Sequence, residues 1–201
     1  MTPAYIELHA RSAFSFLRGG SLPERLAEKA AALGLPALGL CDRMGVYGAP
    51  RFRAAAGEVG LRAIYGAELI MDDGVVLPVL IQSRAGYQNL CQLLTRAHLR
   101  APKGEGAVRW DELPEFAEGL VALTGDEEGP LIAALKSEIR NPKSERNPKA
   151  EIRTKKTPDA VRASAFGLHS DFGLRASDVL SRLCQAFGPE NVFVEIQRHR
   201  R

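Results

Sequence analysis

The sequence predicts an α/β fold with mostly parallel strands, either as an open sheet or closed into a barrel. Three observations lead there. Strand-like and helix-like stretches alternate through the first 136 residues. The strand-like runs, PALGLC and VVLPVLIQ among them, are apolar and partly β-branched, as buried strands are. The chain has 201 residues, 45% hydrophobic and 25% charged, enough for one sizeable core.

In chain order, AYIEL reads as a short strand. SLPERLAEKAAALG reads as a helix, with Ser21 as its expected N-cap, Pro23 and Glu24 in the first turn and Gly34 ending it. PALGLC is a buried strand, GAPRFRAAAGEVG a helix and RAIYGAELIM a strand. VVLPVLIQ follows across the turn DDG, which predicts a hairpin. RAGYQNLCQLLTRAHL is an amphipathic helix with Tyr87, Leu90, Cys91, Leu94 and His98 at helical spacing. GLVALTG is a strand, GPLIAALKSE and ASDVLSRLCQAFG are helices, and NVFVEIQ is a strand.

Composition excludes several classes of function. No apolar run approaches the ~18 residues of a membrane span, and the start MTPAYIELHARS lacks the layout of a secretory signal. Cys41, Cys91 and Cys184 are odd in number and show no CxxC spacing, so reduced thiols in a cytoplasmic protein are expected, with no membrane partner. Of the 27 Lys/Arg and 24 Asp/Glu, nine and five fall within residues 137–177. The remainder is close to neutral, so the basic balance is no evidence of a DNA-binding surface on the folded part.

That segment, 137–177, differs from the rest. It holds EIRNPKS followed by ERNPKA, and FGLHSD followed by FGLRASD, each a seven-residue unit repeated with one residue dropped. Pro142, Pro148 and Pro158 interrupt helix, and two copies of so short a unit cannot bury a core. The expectation is a low-complexity, disordered basic insertion between residues 1–136 and 178–201. The alternative is a basic tether for nucleic acid.

Sites in parallel α/β folds gather at the C-terminal ends of strands. His9 follows YIEL, Asp42 follows LGLC, and Glu68 lies at the end of RAIYGAEL. These three residue types, converging, could hold a divalent metal.

The stretch from YIELHARSAFSFLRGG through CDRMGVYGAP to AIYGAEL resembles the opening of the PHP (polymerase and histidinol phosphatase) domain. More narrowly, it is similar to the N-terminus of bacterial DNA polymerase III alpha-type chains of the error-prone, damage-associated branch. LPVLIQSRAGYQNLCQLLTRAHL, GLVALTGDEEGPLIAAL and FGPENVFVEIQRHR extend the likeness. The resemblance implies an incomplete, distorted TIM-like (βα) barrel carrying a metal cluster at one end. It implies metal ligands at His9 and Glu68, and at three positions where this chain has Arg11, Arg18 and Arg43.

A guanidinium stays protonated and has no free lone pair, so it cannot ligate a metal. Three of them in one pocket would also repel a divalent ion. A hydrolytic metal site needs several ligands and an open position for water, and His9 with Glu68 alone does not meet that need. No cofactor is therefore expected, with Zn, Mn or Mg binding only if the residual site still works. The arginines are expected to pair with Glu68, Asp42 or Glu7. Polymerase chemistry resides in a palm domain downstream of this region in the family, so the chain is expected to be an N-terminal fragment that does not polymerise. The expected partner is the polymerase body, with DNA contacted through the longer protein. A free-standing metal-dependent phosphoesterase and a small basic nucleic-acid-binding module are the alternatives.

Overall fold

The computed structural model describes residues 5–140 and 175–196. Its six strands are β1 (Glu7–Ala10), β2 (Ala37–Arg43), β3 (Arg62–Ile70), β4 (Val76–Ile81), β5 (Leu120–Leu123) and β6 (Val192–Phe193). They lie in one mixed sheet in chain order, with β1–β2, β2–β3 and β5–β6 parallel and β3–β4 and β4–β5 antiparallel. The β3–β4 hairpin falls where DDG predicts it. Helices α1 (Pro23–Ala32), α2 (Ala49–Glu58), α3 (Arg84–Leu99), α4 (Leu113–Phe116), α5 (Pro130–Arg140) and α6 (Ala176–Phe187) complete the fold. This is the expected α/β incomplete barrel. Its curl is visible in one contact: His9 on β1 bonds Glu195, just past β6, although these strands sit at opposite ends of the sheet order.

Side-chain alternation along each strand sorts residues between two faces. Leu38 and Leu40 of β2 pack with Ala27, Ala30, Phe52 and Ala56 of α1 and α2. Leu69, Leu77, Val79 and Leu120 pack with Leu90, Leu93, Leu94, Phe116 and Leu183 of α3, α4 and α6. The opposite face holds a smaller cluster of Cys41, Leu80, Val121 and Leu123, joined by Ile64. His9, Arg43 and Glu68 share the parity of this second face and lie beyond its apolar cluster, towards the C-terminal ends of β1, β2 and β3.

Three local readings change. The N-cap of α1 is Leu22 rather than Ser21, and it makes no side-chain cap bond. Ser21 lies one residue earlier, its carbonyl accepting the Ala13 N–H at 2.8 Å. Pro23 at the first helical position has no N–H to cap, and Gly34 at φ +69° ends the helix as expected. The buried stripe of α3 runs through Leu90, Leu93, Leu94 and Ala97, leaving Tyr87 exposed and Cys91 half-buried. The strand expected over NVFVEIQ narrows to Val192–Phe193. Trp110–Glu112 and α4, for which the sequence analysis names no element, are a 3-10 turn and a short helix. Most of the repeat-bearing segment, residues 141–174, lies outside the described residues.

Candidate functional site: an ion-paired cluster at the strand ends

The site begins with Glu68. In the parallel pairing of β2 and β3, Glu68 is the direct partner of Arg43. Both side chains therefore emerge side by side from the face that also carries His9. Glu68 is fully buried and accepts three charged donors. His9 Nε2 lies 2.8 Å from Oε1, Arg11 Nε donates to the same oxygen, and Arg43 Nε donates to Oε2 at 2.9 Å.

Two of these donors carry the network outward. Arg11 Nη2 donates to Asp126 Oδ2, and Arg43 Nη2 donates to Glu128 Oε2 at 2.6 Å. Arg18, more exposed, pairs with Glu128 Oε1 at 2.9 Å. The other nitrogen of His9, Nδ1, lies 3.0 Å from both carboxylate oxygens of Glu195. Glu195 is held in turn by its own N–H, which donates to the buried Thr124 Oγ1 at 2.9 Å. The Glu128 N–H donates to Asp126 Oδ1 at 3.0 Å, so the turn after β5 presents both acids together.

Burial alone would lower the His9 pKa, but the carboxylates of Glu195 and Glu68 reverse this and push it up to about 9. Burial would raise Glu68, and its His9, Arg11 and Arg43 partners instead hold it below the usual carboxylate range. Asp126 follows the same logic: burial opposes ionisation, and Arg11 overcomes it and lowers the pKa. With His9 protonated, four cationic side chains (His9, Arg11, Arg18, Arg43) meet four carboxylates (Glu68, Asp126, Glu128, Glu195). Among the described residues of the network, formal charge balances without any added ion. The arginines expected to repel a metal are thus not loose cations but cross-links between the ends of strands.

Asp42 does not join this network, for a reason set by parity. It follows Leu38 and Leu40 onto the opposite face of β2 and is buried there. The Ser12 N–H donates to it at 2.8 Å, Ser12 Oγ at 2.8 and 2.9 Å, and Ser15 Oγ at 2.7 Å. Ser15 Oγ also accepts the Arg43 N–H at 3.0 Å. Asp42 therefore anchors the loop after β1, which carries Arg11 and Arg18, rather than pairing with an arginine. Glu7 is likewise no arginine partner: it accepts from Tyr5 Oη at 2.6 Å and from the His9 N–H at 2.9 Å. Arg43 is held at its backbone too. Met44, in the left-handed region at φ +50°, donates its N–H to the Glu68 carbonyl at 2.8 Å and accepts from His98 Nε2 at 2.8 Å.

The expectation of only two residual donors is corrected by Asp126. His9, Glu68 and Asp126 place donor atoms within 4.8 Å of one another, close enough to share a cation. The donor chemistry nevertheless fits a divalent metal poorly. Both nitrogens of His9 face carboxylates, and each oxygen of Glu68 and Asp126 accepts a hydrogen bond. A metal would have to displace guanidinium groups that cannot be deprotonated. Asp126, Glu128 and Glu195 were passed over in the sequence, although a signal existed. The acid-rich turn TGDEEG follows a strand just as Asp42 and Glu68 do, and Glu195 lies within the expected strand NVFVEIQ.

The PHP domain model matches residues 7–199, and the chain belongs to that family. Over 114 residues it is 46% identical to the error-prone DNA polymerase of Corynebacterium efficiens, a match covering 57% of this chain and 10% of that protein. Over 144 residues it is 44% identical to the error-prone DNA polymerase of Mycobacterium tuberculosis, covering 66% and 13%. The chain thus aligns with only a small part of the length of these relatives. Among solved structures, it is similar to an amidohydrolase from Chromobacterium violaceum holding sulfate and no metal. That match is 27% identical, covers 48% of this chain and 34% of the other, and has a TM-score of 0.41.

Proposed function

We propose that this chain is the N-terminal PHP module of an error-prone DNA polymerase-like protein, with a structural rather than hydrolytic role. Its partner is the polymerase body of that protein, through which it serves damage-tolerant DNA synthesis. The observation that carries the structural role is the double bridging of Glu68 by Arg11 and Arg43 to Asp126 and Glu128. These bonds tie the ends of β1, β2 and β3 to the turn after β5. A metal centre at the same place would do this cross-linking with coordination bonds; here guanidinium groups do it.

A second reading, a metal-dependent phosphoesterase, is favoured by the closeness of His9, Glu68 and Asp126. Metal analysis after purification from Zn- and Mn-supplemented medium, with an assay on a chromogenic phosphodiester, separates the two. The structural reading expects substoichiometric metal and no turnover above the no-protein rate. One metal per chain, with turnover abolished by Glu68→Gln, would sink it.

A further inference from the structure

Resting on the structural reading of this site, we propose that the Arg11 guanidinium is a tethered cation filling the hole a free cation would otherwise take, so that Arg11 and a bound ion exclude each other. Arg11 bridges two of the three clustered donors, contacting Glu68 Oε1 through Nε and Asp126 Oδ2 through Nη2. The third donor, His9 Nε2, meets the same Glu68 oxygen. Arg11 therefore sits at the centre of the cluster, while the other arginines hold its margin. Arg43 takes the other oxygen of Glu68 and reaches Glu128, not Asp126, and Arg18 contacts Glu128. The Arg11 side chain is 22% exposed and enters from solvent, whereas Glu68 beneath it is fully buried. The Arg11 guanidinium is the plug and Glu68 is the floor.

Removing the plug leaves Glu68 and Asp126 facing each other with less counter-charge, in a cavity shaped for a planar cation and lined by oxygen and imidazole donors. Such a hole accepts either a small guanidinium or a divalent ion suited to O/N ligands. Arg11→Ala is compared with wild type and Arg43→Ala by thermal unfolding in Mn2+, Zn2+, methylguanidinium or sodium alone. Arg11→Ala is expected to lose several degrees of Tm. It should regain about 5–10 °C at roughly 100 Kd of Mn2+ or methylguanidinium, with no response to sodium.

Wild type and Arg43→Ala, which keep the plug, are expected not to shift. If Arg11→Ala does not fold unaided, the same cations are added during refolding, and recovery of far-UV circular dichroism only in their presence carries the same support. A variant that stays unfolded in every cation overturns the proposal, as does a folded variant no more responsive than wild type. Either result leaves the structural role standing. An equal gain in Arg43→Ala also overturns it, because the hole would then not belong to Arg11. Stoichiometric metal and phosphodiester turnover in wild type would instead bring down the structural reading itself.

Discussion

Replacing Glu68 by Gln should be the most damaging single-atom change in this protein. Glu68 is fully buried and receives hydrogen bonds from three cationic side chains, His9, Arg11 and Arg43. Glutamine keeps the volume but removes the charge and turns one oxygen into a donor. Whichever way the amide faces, its NH2 meets either Arg43 on one side or Arg11 and His9 on the other. Breaking a buried ion pair from one partner costs about 3–5 kcal/mol, because the remaining charge is left uncompensated. At about 4 kcal/mol, a chain of this size loses roughly 8–16 °C of Tm. Urea unfolding followed by circular dichroism at pH 7, with and without EDTA, measures the loss. Glu128→Gln is the control: Glu128 is partly exposed, and pairs of that kind are worth about 1 kcal/mol or less. A Glu68→Gln cost below about 1 kcal/mol would refute the claim that this carboxylate is the hub of the network. A cost that disappears on adding EDTA would show that metal, not arginine, was its partner.

Stability should also fall on the alkaline side. His9 is raised in the folded state to about 9 from an ordinary value near 6.5, so its contribution is complete below the lower value and lost as pH rises through the upper. Urea midpoints between pH 6 and 9.5 should decline, and His9→Gln should flatten that decline; rising stability over this range would contradict the assignment. On the acid side Glu68 and Asp126 have lowered values, so their contribution is present above the ordinary carboxylate range and disappears as pH falls through their folded values. Asp42→Asn should cost about 1–3 kcal/mol by weakening the Ser12 and Ser15 bonds, and limited proteolysis should then cut first within residues 12–20. Gly19→Ala should loosen the same loop, since a Cβ there would stand 2.0 Å from the Ser12 carbonyl oxygen; unchanged protease resistance in both variants would argue against the anchoring role of Asp42.

Much of the fold was legible because its elements follow local rules. PALGLC and VVLPVLIQ announce buried strands, and RAGYQNLCQLLTRAHL matches the observed bounds of α3. The site was legible in part, through His9, Glu68 and the three arginines standing at strand ends. What the sequence concealed is which face each residue takes and which distant acid it meets. Asp42 and Glu68 look alike in sequence, yet register and parity send one behind the sheet to hold a loop and bring the other into the site. Asp126 meets Arg11, Glu128 meets Arg43 and Glu195 meets His9 only because the sheet curls, and no local pattern encodes that long-range closure. Leu22 displaces Ser21 as N-cap because the residue before a proline is pushed out of the helical region, so Leu22 stays extended and the helix begins at Pro23.

The contact between His9 and Glu195 spans 186 positions of the chain, and this bears on how the protein comes into being. During synthesis the four basic members of the network emerge before all four of their carboxylates: His9, Arg11, Arg18 and Arg43 first, then Glu68, and Asp126, Glu128 and Glu195 only later. Pairings of such long sequence separation form slowly, because the intervening chain must be ordered before they reward it. Until Asp126 and Glu128 are made, Arg11, Arg18 and Arg43 have no acid of the network but Glu68, and His9 gains its second carboxylate with Glu195. Of the acids in this network, the last to be made is the one that fastens the first strand.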